Sequence, residues 1–271
     1  MNIVITGAGG VLCSAFSRAL AADGHKIALL DLNLEAAERE AEGIRKAGGE
    51  AIAVQANVLD KESLKKAHDV VLEKFGPCEV LINGAGGNNP KGTTTSEYFS
   101  KEDMLDENAR SFFDLYQDGV SFVFNLNFLG TLLTTQAFAT DMLETGGCIV
   151  NISSMNAFTP LTKIPAYSGA KAAVSNFTQW LAVHFANCNI RVNAIAPGFF
   201  ATNQNRTLLF NEDGSLTPRS HKIISQTPMG RFGEPEELLG TLRFLIDNDA
   251  SGFVTGITIP VDGGFSAYSG V

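Results

Sequence analysis

The chain has 271 residues, of which 45% are hydrophobic and 27 are glycine, and its formal net charge at pH 7 is −9. This length and apolar content favour one α/β domain with a well-filled core. The acidic balance argues against a nucleic-acid or anionic-membrane partner, because binding to phosphate depends on clustered Lys and Arg.

The four cysteines lie far apart in the sequence and form no CxxC pair: Cys13, Cys78, Cys148 and Cys188. None has a histidine companion at metal-ligand spacing, so the sequence predicts neither a disulfide framework nor a metal site. The first residues do not form a basic segment followed by an apolar stretch, and no run reaches the roughly 18 apolar residues of a membrane span. We therefore expect reduced thiols in a cytoplasmic protein.

Short apolar, β-branched segments recur along the chain and predict seven strands: "NIVIT", "KIALL", "AIAVQ", "EVLIN", "GCIVNIS", "IRVNAIA" and "GITIPV". Helical patterns separate the first five strands, such as "KESLKKAHDVVLEKF", which Asp60 precedes as a cap and Gly76 follows. The strands are continuously apolar rather than alternating, which is expected where helices cover both faces of a parallel sheet. The sequence therefore predicts an α/β fold, a single doubly wound parallel sheet of the Rossmann type, with one domain over residues 1–271.

Two longer segments interrupt the alternation of strands and helices, near residues 88–120 and 199–222. They follow the predicted fourth and sixth strands, and ligands bind at the carboxyl ends of the strands in such sheets. We therefore expect both insertions to form substrate loops. For the outer part of the first insertion, an ordinary surface loop is the alternative.

The stretch "TGAGGVLCSAF" follows the first strand and opens a helix, so its backbone N–H groups can face a pyrophosphate. Gly7, Gly9 and Gly10 suit the tight turn, whereas Val11 and Cys13 occupy positions where glycine would permit closer approach. Taken alone, this stretch is equally compatible with an ordinary strand-to-helix turn.

Asp31 ends the second predicted strand. A carboxylate at this place accepts hydrogen bonds from a ribose 2′-hydroxyl and repels a 2′-phosphate, which favours NAD over NADP. An alternative role for Asp31 is the N-cap of the following helix, and the two roles are compatible.

The stretch "SSMNAFTPLTKIPAYSGAK" contains Ser154, Tyr167 and Lys171. If the segment is helical, Tyr167 and Lys171 project from one face, since they are four positions apart. An adjacent ammonium group lowers the pKa of a phenol from its usual value near 10, which would make Tyr167 a proton-transfer group. A tyrosine and lysine at this spacing can occur by accident, but Ser154, the glycine stretch and Asp31 together favour a catalytic role.

On these residues the sequence resembles the short-chain dehydrogenase/reductase family over nearly its whole length. The resemblance adds Asn127, in "NLNFLGTLLTTQ", to the catalytic set. It implies that Tyr167 exchanges a proton with the reacting oxygen, that Ser154 hydrogen-bonds this oxygen, and that Lys171 lowers the tyrosine pKa and holds the nicotinamide ribose. Asn127 would position a water molecule that relays the proton outward.

The resemblance also implies NAD as the cofactor and a homo-oligomer, either a dimer or a tetramer. The residues it assigns to the cofactor are Gly7, Gly9, Gly10, Val11, Leu12, Asp31, Asn57, Val58, Asn83, Ala85, Gly86, Tyr167, Lys171, Pro197, Gly198, Phe200 and Thr202. Four positions depart from the family pattern, namely Val11, Cys13, Asn57 and Gly84. Asn57 retains hydrogen-bonding ability toward adenine, whereas Val11 puts the pyrophosphate contact in doubt.

Polar residues are concentrated near the expected substrate site: Asn88, Asn89, Lys91, Asn156, Lys163, Asn203, Gln204, Asn205 and Arg206. Amides suit hydroxyl groups and a cation suits a carboxylate, so this set favours a sugar acid over an apolar substrate. We assign Asn88, Asn156, Lys163 and Arg206 to the substrate and expect about half of the polar set to be solvated loop residues.

Longer stretches, among them "GVLCSAF", "NISSMNAF" and "LTKIPAYS", are similar to family members that interconvert D-mannonate and D-fructuronate. The resemblance therefore implies an NAD-linked oxidoreductase of this sugar-acid pair. Two alternatives remain open at this point. One is a related aldonate or polyol dehydrogenase, such as a gluconate 5-dehydrogenase, and the other is a non-catalytic sensor or scaffold that binds NAD(H).

Overall fold

The computed structural model describes residues 1–202 and 206–270. Seven strands form its sheet: β1 Asn2–Thr6, β2 Lys26–Asp31, β3 Glu50–Gln55, β4 Val80–Asn83, β5 Gly147–Ile152, β6 Ile190–Pro197 and β7 Thr258–Val261. Every pairing is parallel, and the strand order is β3-β2-β1-β4-β5-β6-β7. The predicted seven-stranded parallel sheet is confirmed.

The α-helices of the described residues are α1 Val11–Ala22, α2 Leu34–Lys46, α3 Lys61–Phe75, α4 Gln117–Phe124, α5 Gly130–Phe138, α6 Pro165–His184, α7 Arg206–Leu209, α8 Pro218–Ser225, α9 Leu239–Ile246 and α10 Asn248–Ser251. The predicted cap of α3 is present, since the Asp60 carboxylate accepts from the backbone N–H groups of Glu62 and Ser63. Gly76 then ends the helix with a positive φ of 88°, a conformation that favours glycine. No described helix combines the length and the apolar character needed to cross a membrane.

Two apolar clusters lie on opposite faces of the sheet. Ile3 and Ile5 of β1 belong to the cluster that contains Phe16 of α1, whereas Val4 belongs to the cluster that contains Leu64 of α3. Successive strand residues point to opposite faces, so β1 needs apolar residues at every position. Helices on both faces therefore explain the continuous apolar runs in the strands.

The order of the strands places a crevice between the ends of β1 and β4. The chain moves outward from β1 to β2 and β3, and then returns to the other side of β1 as β4. Connections that leave β1 and β4 toward opposite faces open a crevice at their carboxyl ends. The glycine stretch after β1 and the residues after β4 both begin there.

Both predicted insertions lie at this carboxyl edge. The first is closed at its base, because Tyr116 N–H donates to the Lys91 carbonyl at 3.1 Å. The second contains α7 and α8, which pack Leu209 and Ile223 against Phe232 in a small separate cluster. Asn203, Gln204 and Asn205, which we expected near the substrate, lie outside the described residues.

Candidate active site

A cleft of about 460 Å³ opens at the carboxyl edge of the sheet. It brings together residues that follow β1, β2, β4, β5 and β6 with two residues of α6. Its lining is Gly7, Gly10, Val11, Leu12, Cys13, Asp31, Gly84, Gly86, Gly87, Ile152, Ser153, Ser154, Tyr167, Lys171, Pro197, Gly198 and Thr202. The glycine stretch and three of the four predicted catalytic residues therefore line the same cleft.

The glycine stretch is shaped by close backbone packing. Gly7 has a φ of +66°, and a Cβ at this position would lie 2.9 Å from the backbone of Ala85. Gly9 N–H donates to the Asp31 carboxylate at 2.9 Å, and Gly10 is the N-cap residue of α1. Glycine is thus required at position 7 for two reasons: its backbone is left-handed, and the backbone of Ala85, just after β4, lies too close for a side chain.

Asp31 is not the N-cap of α2. The cap is Asn33, whose Oδ1 accepts from Ala36 N–H at 3.1 Å. Each Asp31 oxygen accepts one backbone N–H, from Gly9 and from Asn33, both at 2.9 Å. A carboxylate oxygen has two lone pairs, so Asp31 retains acceptor capacity toward hydroxyl groups in the cleft.

Two of the departures from the family pattern pack against each other. A Cβ added to Gly84 would overlap the Cys13 sulfur and would lie 2.8 Å from the Thr6 carbonyl oxygen. Cys13 therefore fills space that the missing side chain of Gly84 leaves empty. Burial raises the pKa of the Cys13 thiol to about 12, so it is a neutral packing group rather than a nucleophile.

Tyr167 lies in the first turn of α6, which begins at Pro165. Desolvation raises the pKa of its phenol, and a side-chain hydrogen bond with Ser154 opposes this rise. The direction is opposite to the one expected from the nearby lysine, because the loss of water around the phenol outweighs the other contributions. The Ser154 contact places a hydroxyl group beside the phenolic oxygen, where both can meet one substrate oxygen.

Lys171 lies one turn further along α6 and is 4% exposed. Its Nζ is 5.6 Å from the centroid of the Tyr167 ring and donates to the Ile152 carbonyl at 2.8 Å. Burial lowers the pKa of Lys171 to about 8, so the ammonium form still predominates at pH 7. One of its three N–H donors is used by Ile152, and the others can serve a ligand.

Asn127 lies in a π-helical turn, Asn125–Leu129, that joins α4 to α5. Its Nδ2 donates to the carbonyls of Gly87 and Val123, each at 2.7 Å. A Cβ at Gly86 would lie 2.6 Å from Asn127 Oδ1 and 3.1 Å from Lys171 Nζ. The absent side chain of Gly86 thus allows Asn127 and Lys171 to approach each other. The π turn is a common feature of functional sites, and sequence patterns did not predict it.

Several residues assigned to the cofactor are not among the residues that line the cleft. Asn83 donates from Nδ2 to Asn151 Oδ1 at 2.9 Å, and Asn57 Oδ1 accepts from Leu59 N–H at 3.0 Å. Val58 is buried, and Phe200 is buried with its ring against Gly233. Their contacts with a cofactor stay predictions.

Three of the residues assigned to the substrate follow β4 or β5. Asn88 donates from Nδ2 to Thr93 Oγ1 at 3.2 Å. Asn156 is 5% exposed, and its Oδ1 has no hydrogen-bond partner among the described residues. Lys163 has a φ of +70°, and its carbonyl accepts from Thr94 N–H at 2.8 Å. A lysine in the left-handed region is strained, and such strain is concentrated at functional sites.

Arg206 lies apart from the other residues assigned to the substrate. It lines a second cavity of about 310 Å³ together with Arg18 and Glu234. Its guanidinium lies 5.3 Å from the centroid of the Phe210 ring. This cavity meets the cleft at Val11 and Thr202, on the side of the glycine stretch.

A sequence model of the short-chain dehydrogenases, described as enoyl-(acyl carrier protein) reductase, matches residues 8–266. An uncharacterised oxidoreductase of Haemophilus influenzae is 61% identical over 270 residues, which cover 99% of this chain and 94% of the relative. An uncharacterised oxidoreductase of Bacillus subtilis, UxuB, is 54% identical over 269 residues, which cover 99% of this chain and 95% of the relative.

A solved structure shares the same fold at high identity. It is a crystal structure from Haemophilus influenza with bound NAD, provisionally assigned as a D-mannonate oxidoreductase. It is 61% identical, superposes with a TM-score of 0.95, and covers 99% of this chain and 96% of its own. With these matches and the Ser154, Tyr167 and Lys171 site, the chain belongs to the short-chain dehydrogenase/reductase family and is an oxidoreductase.

Proposed function

We propose that this protein is an NAD-dependent oxidoreductase that interconverts a secondary alcohol and a ketone of a sugar acid, with D-mannonate and D-fructuronate as the pair. The observation that carries the proposal is the single cleft that joins Asp31 and the glycine stretch to Ser154, Tyr167 and Lys171. The NAD-bound relative, with its provisional D-mannonate assignment, supports both the cofactor and the substrate.

The residues in the cleft suit a dinucleotide. Asp31 offers a carboxylate for ribose hydroxyls and opposes a 2′-phosphate. Gly86 and Gly87 line the cleft without side chains, and the remaining N–H donors of Lys171 suit the hydroxyls of a second ribose. When bound, NAD supplies the acceptor or donor of the hydride.

Tyr167 and Ser154 carry the proton chemistry. Oxidation of an alcohol requires that a proton leave the oxygen while a hydride leaves the carbon. Ser154 donates a hydrogen bond to the reacting oxygen, and Tyr167 accepts the proton in oxidation and returns it in reduction. The Ser154 hydrogen bond offsets part of the desolvation of the phenol, and Lys171 Nζ lies 5.6 Å from the ring centroid, where a positive charge favours the phenolate that forms during reduction. Asn127 positions the outward proton relay.

Lys163 and Asn156 favour a polyhydroxylated acid as the substrate. Lys163 supplies a cation that a neutral polyol does not need, in a backbone conformation held by Thr94. The buried Asn156 Oδ1 can accept a hydrogen bond from a substrate hydroxyl. Such a bond is favourable, because a buried acceptor without a partner destabilises the protein. Asn88 and Arg206 are weaker members of this set, since Asn88 is exposed and Arg206 lines the second cavity.

The test is a panel of hexonates, keto acids and polyols assayed with NAD and with NADP. We expect D-mannonate with NAD to give the highest kcat/KM in oxidation, and D-fructuronate with NADH in reduction. Faster turnover of mannitol or sorbitol than of any hexonate would replace the proposal with a polyol dehydrogenase. A higher kcat/KM with NADP would remove Asp31 from its assigned role, and binding of NADH without turnover of any substrate would support a sensor or scaffold.

We also propose a cytoplasmic homo-oligomer. All four cysteines are free thiols, which suits a reducing compartment. Trp180 and Val183 on α6 are exposed, and exposed apolar side chains on one helix suit a symmetric helix pair. Light scattering of the purified protein measures the oligomeric state, and a monomer at micromolar concentration would contradict this assembly.

A further inference from the structure

The two insertions meet above the catalytic residues. In the sheet, β5 lies between β4 and β6. Ser154 follows β5, the first insertion follows β4, and α8 belongs to the insertion that follows β6. Because all three strands are parallel, these segments leave the sheet at the same edge. A contact between the two insertions therefore spans the end of β5.

One such contact is an ion pair between Glu97 of the first insertion and Lys222 of α8. The Glu97 side chain is 28% exposed, whereas that of Lys222 is 63% exposed. The hydrogen bond from Lys222 lowers the pKa of the Glu97 carboxyl, and the charge of Lys163 lowers it further. Glu97 thus lies under the influence of two ammonium groups and forms its ion pair with Lys222.

A backbone hydrogen bond places Lys163 near the Glu97–Lys222 ion pair. Thr94, three positions before Glu97, donates its N–H to the Lys163 carbonyl at 2.8 Å. This bond holds Lys163 in its left-handed conformation, with a φ of +70°. Two lysines and one glutamate therefore lie close together where the two insertions meet, and their charges sum to +1.

We propose that Lys222 is a positioning residue for the substrate carboxylate, because its ion pair with Glu97 leaves the charge of Lys163 available to the substrate. This inference rests on the proposed function, in which Lys163 binds the carboxylate. Without Lys222, Lys163 is the other cation whose charge acts on Glu97, and a Glu97–Lys163 pair would both occupy the Lys163 ammonium and repel an acid. Glu97 and Lys222 together determine the net charge around Lys163, although neither residue contacts the reacting atoms.

The experiment measures dissociation constants of D-mannonate and gluconate for the NADH complex by quenching of NADH fluorescence, together with KM and kcat for D-mannonate. We expect Lys222→Met to weaken hexonate binding by roughly five- to tenfold, the effect of one unit charge about 4 Å away that water screens, with kcat within twofold of wild type. The double variant Glu97→Gln with Lys222→Met should regain most of the affinity, because it removes the competing carboxylate.

Two further variants separate this role from a structural one. In a Lys163→Met background, Lys222→Met should weaken hexonate binding by a smaller factor than in wild type, because only the repulsion by Glu97 remains, whereas a merely structural Lys222 would have the same effect in both backgrounds. Lys65→Met removes a lysine from another exposed ion pair, with Asp69 of α3, and should change neither binding nor kcat.

Equal affinities of wild type and Lys222→Met overturn the inference, as does a double variant no better than Lys222→Met alone. Hexonates that bind but are not oxidised contradict the proposed function while the comparison of affinities still tests Lys222. If wild type binds neither hexonate, both the proposed function and the inference are wrong.

Discussion

The packing of Cys13 against Gly84 leads to a quantitative prediction for the stability of the protein. Gly84→Ala places a methyl group where the Cys13 sulfur lies and 2.8 Å from the Thr6 carbonyl. Overpacking of a buried site costs about 1–3 kcal/mol of the free energy of unfolding. We expect a value in the upper half of this range, because one of the two neighbours is backbone and the other is anchored in α1.

Cys13→Gly should also destabilise the protein when it is introduced alone. Glycine in a helix costs about 0.5–1 kcal/mol relative to alanine, and the loss of the buried sulfur leaves a small cavity that adds a similar amount. In the double variant the new methyl group enters the space that the sulfur has left. The double variant should therefore be more stable than the sum of the single effects predicts, by about 1–2 kcal/mol. Rescue stays partial, since the contact with the Thr6 carbonyl persists.

Urea unfolding at fixed protomer concentration measures these free energies. Gly43→Ala is the matched control, because Gly43 lies on α2 with no atom within 4 Å of the added Cβ. That change should be stabilising by up to about 1 kcal/mol. A neutral Gly84→Ala variant, or strictly additive effects of the changes at positions 13 and 84, would refute the packing argument.

The other predictions concern the catalytic cleft. Tyr167→Phe should lower kcat by about 10²–10⁴-fold with unchanged NADH binding in a fluorescence titration, and more than about a tenth of wild-type kcat would remove Tyr167 from its role. Lys163→Met should lower kcat/KM for D-mannonate by roughly 10- to 150-fold, with a much smaller effect of Arg206→Met in the same assay; the reverse order would place the carboxylate at Arg206. Because burial lowers the pKa of Lys171 from 10.5 to about 8, the unfolded chain binds the extra proton between these values, so the free energy of unfolding should rise with pH there. Lys171→Met should abolish that rise, as measured by urea unfolding at several pH values, and an unchanged pH slope would contradict the assignment.

Local sequence signals were sufficient to predict the fold. The strands were recognisable because each is a short apolar run, and the sheet buries both of its faces. The boundaries of α3 followed from Asp60 and Gly76, which act through backbone hydrogen bonding and a positive φ at the helix ends. Signals of this kind depend only on neighbours within one turn, so they are visible in the sequence.

Features of the site that depend on distant neighbours were not predicted. The π turn at Asn127 is stabilised by contacts with Gly87, which is 40 positions away. Asn33 rather than Asp31 caps α2, although both residue types suit that position. The rise in the pKa of Tyr167 results from the protein around it, whereas the spacing to Lys171 alone predicts a fall. In each case the outcome is decided by packing between segments that lie far apart in the chain.

The end of β5 sets the geometry of the catalytic groups through three successive residues. The Ile152 carbonyl accepts from Lys171 Nζ at 2.8 Å, Ser153 Oγ donates to the Lys171 carbonyl at 3.1 Å, and the Ser154 side chain lies close enough to Tyr167 to lower the pKa of its phenol. The end of β5 thus contacts α6 at the side chains of Tyr167 and Lys171 and at the backbone carbonyl of Lys171. A shift of α6 along β5 would move Tyr167 and Lys171 together relative to Ser154, so their relative placement depends on the contact between strand and helix. Tyr167 and Lys171 are four positions apart, so they lie one helical turn apart on the same face of α6. Both side chains reach the end of β5 only while α6 is packed against that strand, and this contact is the physical reason for the four-residue spacing.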